Sequence, residues 1–257
     1  MNKIMFMRER HEAIIEMLRN KGKVIVKDLS KEFNISEVII RKDLKKLEEA
    51  GMLTRTHGGA ILDRKTAMTS TFDDRFVNDV EVKQIIAKKA YNCIEDGDHI
   101  FLDISTTNYL LAQLIAQCPK KITLLTNMGY IGPLFQQNLH TTLIFIGGVY
   151  NKELGGVVGA AASENIIQYR MNKAFIGSGG INVKENKISN FDLEEGNTKK
   201  TIIGQSKQTY ILSSVEKFYV DGSYNFATLD DIDFIITNEE PDKEIRSLLQ
   251  KHSVKII

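Results

Sequence analysis

The stretch VKDLSKEFNISEVIIRKDLKKLEEAGMLTRTHGGA, residues 26–60, decides how this chain is read. Leu29 and Phe33 lie four apart on one face of a short helix, and Asn34-Ile35-Ser36 makes a tight connection. Ser36 stands where a side-chain oxygen can accept from the free N–H groups of a further helix over 37–50. In that helix Ile40, Leu44 and Leu47 fall at i, i+4 and i+7, one apolar stripe for a core. Arg41, Lys42, Lys45 and Lys46 lie mostly off the stripe. An apolar back and a basic front suit a helix in the major groove of a duplex. There cations meet phosphates, and residues early in the helix, Ser36, Glu37 and Ile39 among them, reach base edges. Gly51 ends the helix, and residues 52–62 with Gly58-Gly59 at the turn read as a hairpin wing carrying Arg55 and His57. A helical bundle with a solvated charged face would account for the third helix alone, but poorly for the whole ordered set.

Before this stretch, Ile14, Ile15 and Leu18 recur at helical spacing over 8–21, Gly22 supplies a stop, and Val24-Ile25-Val26 is a short β-branched run. Charge is uneven along the chain. Residues 1–65 hold 15 Lys or Arg against 10 Asp or Glu, and the remainder holds 19 against 23. A basic amino-terminal part beside a mildly acidic body fits a chain that meets nucleic acid at one end, and equally a solvated surface. His57 has no second His or Cys at metal-ligand spacing, so a phosphate contact or a structural hydrogen bond is expected there, and no metal.

The other bounds are plain. At 257 residues, 42% of them apolar and 26% charged, two unequal globular domains are expected. No apolar run approaches the roughly 20 residues of a bilayer span, and the charged start MNKIMFMRERHE lacks the core of a secretory signal. Cys93 and Cys118 suit reduced thiols, so a cytoplasmic protein without membrane contact is expected. Residues 63–71, DRKTAMTST, are polar and small and read as a linker between a domain over 1–62 and a second over 72–257.

The second domain alternates helical segments with β-rich runs, the pattern of an α/β fold. Strands are expected at 99–102, 122–125, 143–146, 173–176, 209–212, 234–236 and 254–256. Helices are expected at 83–94, 108–118, 129–137, 160–169, 193–205 and 242–250. Polar clusters follow the strands. Asp103-Ile104-Ser105-Thr106-Thr107-Asn108 opens a helix and suits a phosphate cradle, though Ser and Thr also simply cap helices. Thr126-Asn127, Gly147-Gly148 and Gly177-Ser178-Gly179-Gly180 follow later strands. Glu195 and Lys199 lie one helical turn apart, and Lys217 follows the strand ending at Leu212. Their recurrence after successive strands favours one shared cleft.

These residues carry a family resemblance. The string I-R-K-D-L-x-x-L-E-x-x-G-x-L-x-R-x-H-G-G-A resembles the winged helix-turn-helix of the DeoR family of bacterial transcription regulators, with Ile39 where a Thr is common and Lys42 where a second Arg is common. The resemblance extends to a sensor domain similar to ribose-5-phosphate isomerase, which in the family binds phosphorylated sugars or sugar alcohols. It implies effector contacts at Asp103, Ser105, Thr106, Thr107, Asn127, Gly148, Gly179, Glu195, Lys199 and Lys217. Ser105 stands where that pattern has glycine, and Ser214 where it has Asp. The resemblance implies a repressor of a sugar-metabolism operon, a homodimer or homotetramer on double-stranded operator DNA, released by a phosphorylated sugar and needing no cofactor.

Two other functions fit parts of the chain. One is a sugar-phosphate isomerase bearing a DNA-binding appendage. Isomerisation needs a base and groups that stabilise an enediolate. The loop Gly177-Ser178-Gly179-Gly180-Ile181-Asn182 carries no carboxylate where the isomerase has an acidic run, so no enzyme is expected. The other is a repressor with no small-molecule effector, which the serines at 105 and 214 keep open.

Overall fold

A computed structural model of the chain describes residues 6–21, 23–61, 65–66, 71–118 and 120–257. The chain divides into two compact units, Met1–Lys65 and Thr66–Ile257. The expected helix stop at Gly22, the end of the wing at Leu62 and most of the 63–71 linker lie outside the described residues.

The first unit holds helices α1 (Met7–Lys21), α2 (Val26–Glu32) and α3 (Glu37–Glu49), with strands Lys23–Ile25, Thr54–Thr56 and Gly59–Ile61. The β-branched run splits: Val24 and Ile25 lie in a strand, and Val26 starts α2 and is buried. The three strands form an antiparallel sheet with Gly59–Ile61 in the middle. A Cβ on Gly59 would lie 2.0 Å from the Val24 carbonyl oxygen, so this approach requires glycine. Ile40, Leu44 and Leu47 join Ile14, Leu18, Val24 and Leu29 in one core. Asp43 also faces inward. Its carboxylate accepts from Arg10 Nε at 2.7 Å and Nη2 at 3.1 Å, with His11 Nε2 at 3.1 Å.

The second unit is built on seven parallel strands. Their spatial order is Lys255–Ile256, Phe234–Ile236, Ser206–Leu212, Met171–Gly177, His99–Leu102, Ile122–Thr126 and Thr141–Phe145. Alternate side chains supply two cores. Ile100, Leu102 and Phe175 pack with Ile86 of α5 (Val80–Asn92) and Leu111 of α6 (Thr106–Gln117). Phe101, Ala174 and Ile176 pack with Ile166 of α7 (Ala160–Ile166), Ile202 of α8 (Leu193–Gly204) and Leu249 of α9 (Lys243–Lys251). A parallel sheet covered on both faces explains why its strands read as nearly unbroken apolar runs.

Chain order runs outward from His99–Leu102 in one direction, then restarts at Met171–Gly177 and runs outward in the other. The adjacent carboxyl ends of those two strands form the switch point, where an open parallel sheet leaves a crevice.

Several elements differ from expectation. Residues 129–137 form a 3-10 run, Gly129–Phe135, because Pro133 lacks the N–H an α-helix interior needs. The edge strand begins at Thr141, earlier than expected, because Thr141 and Thr142 pair with Ile122 and Thr123. Helix α4 (Phe72–Val77) starts in a capping box: Thr71 Oγ1 accepts from Asp74 N at 3.2 Å, while Asp74 Oδ2 accepts from Thr71 N at 3.1 Å. Helix α5 then begins at Val80 behind Asp79, which takes φ 51° and redirects the chain between the two helices. A small antiparallel sheet of Gly180–Asn182, Lys187–Asn190 and Tyr224–Ala227, and the hairpin Val149–Asn151/Gly156–Val158, were not expected; their strands are too short to show periodicity.

Candidate functional site

On α3 the cap forms as the residues dictate: Ser36 Oγ accepts from Ile39 N at 3.4 Å. Ile40, Asp43, Leu44 and Leu47 are buried, which turns Val38, Lys42, Lys45 and Glu49, at i, i+4, i+7 and i+11, to the opposite face. Val38 is 59% exposed and Ile39 41%, so the first turn presents two β-branched apolar side chains outward. Val38 escaped the sequence argument, although the spacing that buries Ile40 and Leu44 also places it. Arg41 is held by Glu37, Nη2 to Oε2 at 2.6 Å, and Lys45 lies 3.7 Å from Glu49. In the wing, Arg55 N donates to Glu48 Oε1 at 2.9 Å, its guanidinium lies 3.8 Å from Glu48 Oε2, and His57 sits exposed at the turn. Basic side chains thus stand on both the helix front and the wing, with Arg41, Lys45 and Arg55 each beside a carboxylate of α3.

In the second unit a cavity of about 260 Å³ opens at the switch point. Ser105, Thr106 and Thr107 line it from one strand end, Gly177, Ser178 and Gly179 from the neighbouring one, and Glu195, Lys199 and Lys217 from further along the chain. Asp103 lies just beneath, almost fully buried. Its carboxylate accepts from Gly177 N at 3.1 Å, from Asn108 Nδ2 at 2.6 Å and from Lys199 Nζ. Lys199 also lies 3.0 Å from Glu195 Oε1. Burial pushes the Asp103 carboxyl upward, against the pull of Lys199 and the Gly177 amide. Burial acts on Lys199 too, but Asp103 and Glu195 outweigh it and hold the ammonium above its ordinary range. The Gly177 amide, the Asn108 amide and the Lys199 ammonium all converge on the Asp103 carboxyl, the arrangement that supports a buried ion pair. The trio Asp103–Lys199–Glu195 is closed on itself and forms the floor of the cavity.

Ser105, in the glycine position of the resembled loop, keeps an extended backbone at φ −149°. Its Oγ accepts from Asn108 N at 3.1 Å and caps α6. Glycine is required instead at 177, where a Cβ would lie 2.5 Å from Ser105 Cβ. Asn127 and Gly148 are not among the lining residues. Asn127 Nδ2 donates to Val157 O at 2.8 Å, and Gly148 takes φ 145° with Val157 Cγ1 2.7 Å from where its Cβ would be. Both are engaged with the hairpin strand Gly156–Val158.

The cavity also gathers residues that sequence reasoning did not assign to it. Arg75, Asn78, Asp79 and Lys83, from the corner between α4 and α5, form one wall, and Asn190 and Ser213 contribute to others. Lys83 Nζ donates to the carbonyl oxygens of Asn78, at 2.6 Å, and of Arg75. Burial pushes Lys83 below its ordinary range; Lys217 and Arg75 add like-charge repulsion, and Asp79 opposes it. Lys217 is pushed down in the same way, by burial first and by Arg75, with Glu216 and Asp79 opposing. Three cations thus converge on the cavity, with the carboxylates of Asp79 and Glu216 opposing their repulsion. An anion there would lower their mutual repulsion. The only sequence sign of this wall was the helix expected from residue 83 onward.

Among the described residues, no group of three His, Cys, Asp or Glu could hold a metal, and no helix is long and apolar enough to cross a membrane.

Comparison with known proteins places both units. Residues 10–66 match the DeoR-like helix-turn-helix domain, and residues 78–239 match the DeoR C terminal sensor domain. The glycerol-3-phosphate regulon repressor of Escherichia coli (strain K12) is 27% identical over 96% of this chain and 97% of its own. The lactose phosphotransferase system repressor of Lactococcus lactis subsp. lactis is 33% identical over 82% of this chain and 83% of its own. Among solved structures, ribose 5-phosphate isomerase A from Methanocaldococcus jannaschii superposes with a TM-score of 0.41 at 14% identity, covering 55% of each chain.

Proposed function

Starting from the fact that the chain belongs to the DeoR family of transcription regulators, we propose that it represses a sugar-metabolism operon and leaves its operator when a phosphorylated sugar fills the switch-point cavity. Residues 1–62 are the DNA-binding domain, 63–71 the tether and 72–257 the sensor. Helix α3 enters the major groove with Ser36, Glu37, Ile39, Arg41, Lys42 and Lys45, and Arg55 and His57 of the wing lie against the phosphate backbone. A homodimer or homotetramer places two such modules on a symmetric operator, which multiplies weak single affinities. The protein works in the cytoplasm, without a membrane partner.

One observation carries the effector reading: the convergence of Arg75, Lys83 and Lys217 on a cavity whose floor, Asp103–Lys199–Glu195, is a closed ion-pair trio with its one ammonium already engaged. The cations and the amino-terminal end of α6 suit a phosphate. The effector moves the equilibrium only by its differential affinity for the operator-competent and released conformers. The reading that the protein is not an enzyme rests on Glu195, the carboxylate a catalytic base would need, being engaged with Lys199. The sensor role proposed for Ser105, Thr106, Thr107, Gly179, Glu195, Lys199 and Lys217 is supported by their place on the cavity lining, with Asp103 buried beside them.

The test couples two measurements. Duplexes selected from a random pool by the full chain supply an operator, and a thermal-shift panel of phosphorylated sugars supplies an effector. The expected result is one ester that raises the melting temperature and weakens operator binding. Turnover of a sugar phosphate by the purified protein, or a panel that moves neither quantity, would sink this reading.

A further inference from the structure

Asn190 is 2% exposed and lines the cavity, yet neither Oδ1 nor Nδ2 has a hydrogen-bond partner. Among the described residues it is the one side chain with both polar atoms buried and unpaired. The neighbouring asparagines differ. Asn78, on the same lining, donates to Asp74 O at 2.8 Å, and Asn108 and Asn127 each place Nδ2 on an acceptor. Buried amides without partners are rare, because each atom loses water and gains nothing. Asn190 ends the strand Lys187–Asn190, and its Oδ1 lies 3.0 Å from where a Cβ on Gly196 of α8 would be. That places the amide beside the helix that carries Glu195 and Lys199.

We infer that Asn190 is the residue by which this sensor recognises a hydroxyl-bearing phosphate ester, with Oδ1 accepting from one hydroxyl and Nδ2 donating to another. The chemistry is selective. Phosphate and carboxylate oxygens of an ionised ligand only accept, so they leave Oδ1 unsatisfied. An ammonium could donate to Oδ1 but is repelled by Arg75, Lys83 and Lys217 in the same cavity. Hydroxyl groups both donate and accept, and a pair of them matches both ends of the amide. The phosphate then goes to the cations and the polyol part to Asn190. A site built to hydrogen-bond a hydroxyl rejects analogues lacking it far more strongly than an apolar pocket would.

The inference rests on the reading of the cavity as the effector site, and the experiment separates the two. Full-length protein and Asn190→Leu are titrated with inorganic phosphate, D-ribose 5-phosphate, its 2-deoxy analogue, glycerol 3-phosphate and hexose 6-phosphates, with affinity and thermal shift as readouts. In the parent protein at least one ester should bind 30-fold or more tighter than inorganic phosphate. In Asn190→Leu that preference should fall to about threefold or less, with inorganic phosphate binding unchanged. The ligand-free variant should melt at the same or a higher temperature, because an apolar side chain of similar size removes two unpaired polar atoms. Asn190→Asp, which keeps the shape but cannot donate, should also lose the preference. An undiminished preference in Asn190→Leu, or a lowered melting temperature that marks the residue as structural, overturns the assignment. Binding of phosphate without any preference for an ester overturns it alone. If the parent protein binds neither phosphate nor any ester, the reading of the cavity falls and this inference with it.

Discussion

Arg41 Nη2 donates to Glu37 Oε2 at 2.6 Å on the exposed front of α3, so the guanidinium is held by its own helix. Arg41→Ala is expected to weaken operator binding by about 1–3 kcal/mol, the range of one side chain–base contact, and to leave effector binding unchanged. Val38→Asn, on the centre of the same face, should change the base selected at one operator position. Fluorescence anisotropy against the selected operator measures both, with non-specific duplex as the control.

Gly59→Ala is expected to destabilise the DNA-binding unit. The added Cβ would meet the Val24 carbonyl oxygen at 2.0 Å, and a backbone atom cannot swing aside. Separating the two strands should cost on the order of 2 kcal/mol, with operator affinity falling as the wing loses its place. Equal chemical-denaturation midpoints for variant and parent would contradict this.

Lys199→Ala is expected to act on stability before it acts on binding. Its side chain is 3% exposed and is paired with Asp103 and Glu195, so removing it leaves two buried carboxylates without their cation. Breaking such a pair costs about 3–5 kcal/mol. Denaturant unfolding should show the loss in the sensor. A variant as stable as the parent would mean that the trio is not the structural floor described above.

Lys217→Met isolates anion binding. Burial pushes the Lys217 ammonium below its ordinary range, so folding weakens its hold on the proton and the charge costs stability at neutral pH. The ligand-free variant should therefore be as stable as the parent or more so, yet bind phosphate esters at least tenfold more weakly. In the parent, affinity should be full near neutrality and fall as pH rises through the depressed Lys217 and Lys83 values, sooner than for an exposed lysine. Isothermal titration across alkaline pH measures this. A profile that Lys217→Met leaves unchanged would remove Lys217 from the site.

Much of the fold could be read from the chain. The stripe Ile40-Leu44-Leu47 and the apolar runs at 99–102 and 234–236 show their period or their burial directly. The clusters at Asp103–Thr107 and Gly177–Gly180 were visible because ligands in parallel sheets gather at strand ends. What stayed hidden depends on chain reversals rather than on spacing. The partner of Asp43 lies 33 residues earlier, in Arg10. Asn190 reaches the cavity through a bulged antiparallel strand with no periodic signal. Arg75, Asn78, Asp79 and Lys83 arrive together only because Asp79 takes a left-handed backbone between two helices. Asn127 and Gly148 follow strands as the cavity residues do, but from strands further from the switch point, where the hairpin occupies them.

The contacts of Lys83 give the cavity a second property. Its ammonium lines the cavity while serving the carbonyl oxygens of Arg75 and Asn78, at the end of α4. An incoming anion does not meet an idle cation; it enters a competition with two peptide oxygens for the same three protons. If the anion wins, the last turn of α4 loses its tether, and part of the binding free energy appears as backbone freedom rather than as affinity. Tightness of binding and strength of response are then opposing quantities, set by one side chain.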